Sequence, residues 1–389
     1  TFMRFRWRSA LLVVLALLGI VSYIAAPYIR AASLFVRAAN LGGHIERLAD
    51  ATARTVTVVP QHVVPTRQGD VAAQWYRPSG RIRRATLLVP GIHSMGITEP
   101  RLTALASDLA GSGVAVMALA LPDLMEYQIT ARSADVIEDA VGWMAAQPEF
   151  APDGRVGMVG ISFAGGLSIV AAGRPSIRDK VAYVLSFGGH GDLGRVLKYL
   201  ATGEAVQAEG LVTHPPHDYG VAVITYAGAD LLVPHEQVMA LREGIRTFLL
   251  ASQLTLVDTD KANATFQKAR DIATTLPEPA ATLLTYVNDR DVKALGPLLE
   301  PHIALEADPA ASPERAPTPP SAPVFLLHGN DDVVIPAAES VVLAKHLREQ
   351  GVDVRLLLSG IITHAELDRA AAVSDSWKLV AFWAEVLRR

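Results

Sequence analysis

With 389 residues, half of them hydrophobic and 19% charged, the chain is long enough for one large core or two modest ones and too apolar to be disordered throughout. A formal net charge of −4, with no long Lys/Arg cluster interleaved with aromatics, argues against a nucleic-acid partner. The absence of cysteine removes disulfides, thiolate metal ligands and a thiol nucleophile together.

At the N-terminus Arg4, Arg6 and Arg8 precede an almost uninterrupted apolar run from Ala10 to Ala26. Roughly 17 to 20 such residues cross a bilayer core as a helix. A cleaved signal peptide begins the same way, so the choice turns on the cleavage site. A cut after Ala26 puts Ile24 where a small residue is wanted and Pro27 just beyond, and a cut after Ala32 puts Arg30 at the small-residue position. The run is therefore read as an uncleaved anchor, with residues 1–40 as anchor and juxtamembrane segment. A buried core helix is disfavoured because nothing polar breaks the run on any face. Arginines are dense before the run and sparser after it, at Arg30 and Arg37, which places the remainder of the chain outside the cytoplasm.

From about Thr55 onward, short β-branched runs alternate with helical patterns, the signature of an α/β fold with a mostly parallel sheet and helices on both faces. Strands are predicted at Thr55–Val59, Val71–Tyr76, Thr86–Val89, Val114–Leu119, Arg155–Val159, Val181–Phe187, Val324–Leu327 and Val354–Leu358. Several are continuous apolar runs, as expected where both faces of a sheet are covered. Helices are predicted at Arg101–Ala110, Ala131–Ala146 and Phe163–Ala172. Another opens near Pro336 and runs to about Leu347, and Ser374 caps the terminal one.

The rhythm breaks between Phe187 and Val324, where about 130 residues intervene, far beyond a usual connection. Val238, Leu241, Ile245, Phe248 and Leu249 recur at helical spacing, so the insertion, 188–320, is read as a helical cap. Its end, Asp308 to Pro323, is rich in Pro, Ala and Ser and reads as a stiff return linker. The core then comprises 41–187 and 321–389. Emerging at the carboxyl edge of the sheet, the cap is expected to cover Ser162. Its removal is expected to change acyl-chain preference while small acetates still turn over.

The strongest chemical signal is Gly160-Ile161-Ser162-Phe163-Ala164-Gly165-Gly166, directly after an apolar strand and directly before a helical pattern. A nucleophile at such an elbow sits in strained backbone, and the close approach of strand and helix demands small residues, here Gly160 and Ala164. The bland alternative is an ordinary turn with a capping serine. A serine hydroxyl needs a general base that is itself oriented by a carboxylate. Downstream, Asp331 and Asp332 follow one predicted strand and His364 follows the next, in the required order. Asp332 is the better acid, because the spacing from His328-Gly329 to Ile335-Pro336 puts it at the loop position that reaches the base. Asp192, after the preceding strand, is the reserve candidate.

An oxyanion needs two preorganised donors. One is assigned to the N–H of Phe163 and the other to that of Ile92, in the loop Pro90-Gly91-Ile92-His93-Ser94-Met95-Gly96. His93 is read as loop packing, with substrate contact as the alternative. His214, His217 and His235 are not read as metal ligands, because two prolines make a loop there and spacing fixes no third ligand. Tyr127 and Trp143 are read as packing residues.

Elbow, hole loop, acid and base together resemble the α/β-hydrolase superfamily, nearest its dienelactone-hydrolase-like and esterase branches, over roughly Val71 to Arg389 apart from the insertion. In the usual elbow the position of Ala164 is Gly, and where the hole loop often has His-Gly this chain has Pro-Gly. The resemblance implies hydrolysis of an ester, thioester or amide through an acyl-enzyme, with no cofactor and no metal. A membrane-anchored carboxylic-ester hydrolase acting on a small molecule is the expectation. A peptidase or acyl-thioester hydrolase on the same residues, and a catalytically inactive binding protein, are the alternatives.

Overall fold

In the computed structural model, which describes residues 2–40, 42–207, 210–213, 216–255, 257–363, 366–367 and 372–389, eight strands form one sheet. They are β1 (Val56–Thr66), β2 (Gly69–Pro78), β3 (Ala85–Val89), β4 (Ala115–Leu119), β5 (Val156–Ile161), β6 (Val181–Phe187), β9 (Val324–Gly329) and β10 (Val354–Ser359). A separate two-stranded hairpin supplies β7 (Glu204–Gln207) and β8 (Gly210–Thr213). The sheet order is β1-β2-β4-β3-β5-β6-β9-β10. Strand β2 runs antiparallel to both neighbours, and the other pairs are parallel.

Each predicted strand overlaps one of these eight. The interior strands β3, β4, β6 and β9 are buried along their whole length, which is why they read as continuous apolar runs. Strand β1 is longer than predicted because Pro60 and Pro65 disguise its second half. It is an edge strand with a register shift between Val59 and His62, the setting in which a sheet tolerates proline. The helix after β9 starts at Ala338, so Pro336 lies just ahead of it. The terminal helix starts at Ala372, so Ser374 falls inside the helix instead of capping it.

The N-terminal helix runs without a break from Phe2 to Ala38, through Pro27. Ile20, Val21, Tyr23 and Ile24 are 55 to 82% exposed, whereas Ala31, Leu34 and Val36 are buried against the rest of the protein. That packed half lies on the helices Gly43–Thr52, Pro100–Gly111 and Ala372–Val386. Arg37 is drawn inward: its Nε is 3.2 Å from Asp108 Oδ1, and another guanidinium nitrogen donates to the Asp108 carbonyl and Ser112 Oγ, both at 2.9 Å. Among the described residues, Gly19–Ala38 is long and apolar enough to cross a membrane by length and composition, with mean hydropathy 1.4. Within that stretch Ala31, Leu34 and Val36 are committed to contacts inside the protein.

Between β6 and β9 the chain builds a layer of helices, chiefly Leu193–Thr202, Asp218–Ala227, His235–Leu254, Thr259–Thr275, Ala280–Asn288 and Val292–Leu299. Val238, Leu241, Ile245, Phe248 and Leu249 are all buried, and their helix packs on three others of the same layer. Burying each such side chain contributes roughly 1.5–3 kcal/mol, so this face builds the insertion's own core. The return segment is pinned by charge. Arg195 pairs with Glu314 at 2.6 Å and Glu339 at 2.5 Å, while Glu339 also accepts the N–H groups of Gly191 and Asp192.

His190 lies under this tether, fully buried, with Nε2 donating to the Ala311 carbonyl at 2.9 Å and its ring 5.5 Å from that of Phe163. Burial depresses its pKa to about 4. The folded protein therefore keeps a neutral imidazole that the unfolded chain protonates below an ordinary pKa of ~6.5. Stability is complete above that pH and falls as the pH drops towards 4, by up to about 3 kcal/mol. Urea midpoints measured from neutral pH downward should show this fall. His190→Gln, which keeps a donor for Ala311, should flatten it; an unchanged slope would assign the acid sensitivity elsewhere.

Candidate active site

The chain leaves β5 at Ile161 and enters the helix Phe163–Gly173 through a single residue, Ser162, at φ 55° and ψ −134°. For a residue with a Cβ this left-handed backbone costs about 1–3 kcal/mol, so the surroundings must enforce it. Two backbone bonds do so: Ser162 N–H donates to the Phe187 carbonyl and Gly165 N–H to the Ser162 carbonyl, both at 2.8 Å. A Cβ on Gly160 would lie 2.4 Å from the Ala164 carbonyl oxygen and 2.6 Å from Ser168 Oγ, which is why glycine stands there. The methyl of Ala164 is accommodated in full burial. The Ser162 side chain makes no capping bond to the helix it precedes, which removes the capping-serine alternative.

The loop after β3 lies against this elbow. A Cβ on Gly91 would be 3.0 Å from Ser162 Cβ, 3.3 Å from the Ile161 carbonyl oxygen and 3.7 Å from Ser162 Oγ. Only glycine lets backbone approach so closely, and the next peptide carries the Ile92 N–H. Phe163, whose N–H is the other candidate donor, opens the helix directly after Ser162. His93 closes the loop on itself, its Nδ1 accepting from Met95 N–H at 3.2 Å, and burial lowers its pKa. Loop packing is thus the role its geometry gives.

Three backbone bonds step along the carboxyl edge of the sheet: Ser162 N–H to Phe187, Gly188 N–H to Leu327 and Asn330 N–H to Ser359. They carry the elbow, the loop after β9 and the end of β10 to the same edge, where ligands bind in open α/β sheets. In the loop after β9, Asp331 is exposed and Asp332 is buried. Asp332 Oδ1 accepts from the N–H groups of Val334 at 2.8 Å and Ile335 at 3.0 Å. His328, wholly buried, stands 3.4 Å from Asp332 Oδ2. Its Nε2 donates to the Ile335 carbonyl at 2.8 Å, and its Nδ1 accepts from Ser340 Oγ at 2.7 Å. From the insertion, Tyr199 OH and the N–H of His217 both donate to the Val333 carbonyl, at 3.1 and 2.9 Å. Burial, with the Asp332 charge, pushes the Tyr199 hydroxyl up to about 12, so it remains a donor at neutral pH.

His364 lies outside the described residues. Ile362–Thr363 and Glu366–Leu367, on either side of it, pair as short antiparallel strands. Asp192 is engaged elsewhere: it caps the helix Leu193–Thr202 by accepting from Arg195 N–H at 3.0 Å, and it pairs with Arg315 at 2.7 Å. His214 is also outside the described residues, and His217 Nδ1 accepts from Tyr219 N–H at 3.1 Å, a helix-capping role. Trp143 packs beside Phe150, as expected.

Sequence reasoning passed over His328, Tyr199, Tyr219 and Gln253 and treated Tyr127 as packing alone. The signal for His328 was present, in the fixed offset from His-Gly to the aspartate. Tyr127 is indeed buried, but at φ 59° and with its hydroxyl accepting from Gln253 at 3.2 Å. Nothing local marks Tyr199, Tyr219 or Gln253, whose partners lie far away in the chain.

No protein-family model and no curated protein matches this sequence. Among solved structures, the chain is similar to a hyperthermophilic esterase from the archaeon Pyrobaculum calidifontis, at 16% identity over 95% of this chain and 93% of that one, TM-score 0.47. An esterase from Pyrococcus furiosus is 12% identical over 86% and 91% of the two chains, TM-score 0.48. The dienelactone hydrolase of Anabaena variabilis is 15% identical over 86% and 96%, TM-score 0.42. Likenesses this distant say nothing of substrate or mechanism, and the fold is read from the molecule itself. With one strand reversed in an eight-stranded parallel sheet, a left-handed serine elbow after β5 and a buried aspartate in the loop after β9, the chain has the α/β-hydrolase fold, that of the superfamily its motifs resemble.

Proposed function

We propose that this protein is a membrane-anchored serine hydrolase that cleaves carboxylic esters of small molecules through an acyl-enzyme on Ser162. The observation that carries the reading is the close packing of Gly91 against a serine held in left-handed backbone, which supports the loop after β3 as the source of an oxyanion donor. His364 takes the proton of Ser162 as the oxygen attacks the ester carbonyl, and the N–H groups of Ile92 and Phe163 stabilise the oxyanion. The same imidazole returns the proton to the departing alcohol. Water, deprotonated by His364, then releases the acid and restores Ser162. Asp332 holds the imidazole in the productive tautomer. A fluorophosphonate probe should label the protein on the peptide that contains Ser162. An unlabelled, folded wild-type protein would overturn the reading.

In this reading residues 1–40 anchor the chain, 41–187 and 321–389 form the catalytic core, and 188–320 form the cap. The exposed apolar side chains of the N-terminal helix support the anchor. Insertion of an apolar helix is not screened by salt, so the full chain should stay in the membrane fraction through high-salt and alkaline washes. Recovery of the intact chain in the soluble fraction would refute it. With the catalytic part outside the cytoplasm, an impermeant probe should label Ser162 in intact cells.

A further inference from the structure

The insertion grips both loops that flank the elbow. On the hole-loop side, Ser94 Oγ donates to Gln253 Oε1 at 2.8 Å, and Gln253 stands on the last turn of the helix His235–Leu254. The Gln253 amide nitrogen donates to Tyr219 OH at 3.0 Å and to Tyr127 OH at 3.2 Å. A primary amide offers one carbonyl acceptor and two N–H donors, and each is used here on a different part of the chain. On the acid side, His217, two residues before Tyr219, donates its backbone N–H to the Val333 carbonyl at 2.9 Å. One short cap segment, His217–Tyr219, thus touches the acid loop through its backbone and the hole loop through Gln253.

We propose that the cap acts as a clamp that holds the oxyanion loop and the acid loop in register with Ser162, with Gln253 as the positioning residue for the oxyanion loop. The inference rests on the serine-hydrolase reading and adds to it a role for the insertion beyond shaping the acyl pocket. The physical need is plain. An oxyanion hole works only when preorganised, and a displacement of about 1 Å costs roughly 100-fold in rate. The loop that carries Ile92 is closed on itself over His93–Thr98, where Gly96 N–H donates to the His93 carbonyl at 2.9 Å and Thr98 N–H to the Met95 carbonyl at 3.0 Å, so it moves as one unit whose position against the elbow is set by its outside contacts. A half-buried amide with three partners holds that loop in place, because moving it would break the Ser94 bond of a network that also ties down Tyr127 and Tyr219. Burial raises the pKa of both Tyr127 and Tyr219, so neither hydroxyl ionises near neutral pH and the clamp holds there.

The test is Gln253→Met in the full-length protein, which nearly preserves side-chain volume and removes all three bonds. The expected result is a kcat lowered roughly 10- to 100-fold with KM changed by less than ~2-fold. The factor should be the same for acetate and octanoate esters, and fluorophosphonate labelling should slow in parallel. Ser94→Ala should act in the same direction, and the double variant should be no slower than the worse single one, as for residues in one network. A loss confined to KM, or growing with acyl length, would make Gln253 a pocket wall and overturn the proposal. Additive losses, or none, would also overturn it. Should Gln253→Met lose its near-UV circular dichroism, Tyr219→Phe and Ser94→Ala, which each remove one hydroxyl, carry the same comparison. Failure of the wild type to label sinks the hydrolase reading itself; normal labelling of wild type and variants alike sinks only the clamp. Excision of the cap should accordingly abolish turnover even of acetates, contrary to the expectation drawn from sequence.

Discussion

Ser162→Ala should lower ester turnover by about 10⁶-fold, the scale seen when the nucleophile of such a triad is removed, and should abolish fluorophosphonate labelling. The fold should survive. The substitution deletes one oxygen from a nearly buried turn and keeps the Cβ, so the backbone bonds to Phe187 and from Gly165 have no reason to change. The left-handed φ is as uncomfortable for alanine as for serine, and thermal unfolding should therefore move little. The measurement is a paired one: turnover of a chromogenic acetate, and the unfolding midpoint of the same preparation. Activity at the wild-type level in a folded Ser162→Ala protein would remove the nucleophile and the mechanism with it.

Asp332→Asn should lower kcat by roughly 10⁴-fold, the loss that follows when a triad carboxylate becomes an amide. The local geometry explains how an isosteric change acts so strongly. The two N–H groups of Val334 and Ile335 need an acceptor on one side of the carboxylate, so the asparagine oxygen must take that place. The new NH₂ then replaces Oδ2 and faces His328 Nε2, which is already a donor to Ile335, and in the proposed mechanism it would offer His364 a donor where that imidazole needs an acceptor. Asp331→Asn, at an exposed site, should change kcat by less than about 2-fold. Asp192→Asn should weaken a helix cap and its pairing with Arg315, lowering the unfolding midpoint more than kcat. A larger kinetic loss from Asp192→Asn than from Asp332→Asn would place the acid after β6 instead of β9.

Much of this protein is written in local pattern. Apolar and β-branched runs marked all eight strands of the sheet, most plainly the interior strands β3, β4, β6 and β9, where burial on two faces leaves a signal in every successive residue. Helical periodicity found the face of Val238, Leu241 and Ile245 for the equivalent reason. The elbow was legible because its chemistry demands glycine and alanine within four residues of the serine. The turn after β9 was legible because it is short and closed by the neighbours of Asp332 itself, which leaves Asp332 buried and Asp331 exposed.

What tertiary structure decided lies where residues distant in the chain meet. Local pattern could not show that the second half of the N-terminal helix docks on the domain, since Arg37 finds Asp108 71 residues away. Nor could it tell that Asp192 is occupied by Arg315, 123 residues on, or that Ser94 meets Gln253 across 159 residues. Strand and helix propensities are properties of neighbours in sequence, whereas a side-chain amide is satisfied by whichever donors and acceptors packing brings to it. The sequence by itself determined the sheet, the elbow and the order of the candidate catalytic residues. Packing alone decided which loops those residues share and that the cap holds two of them, because a hydrogen bond between remote elements leaves no period in the chain.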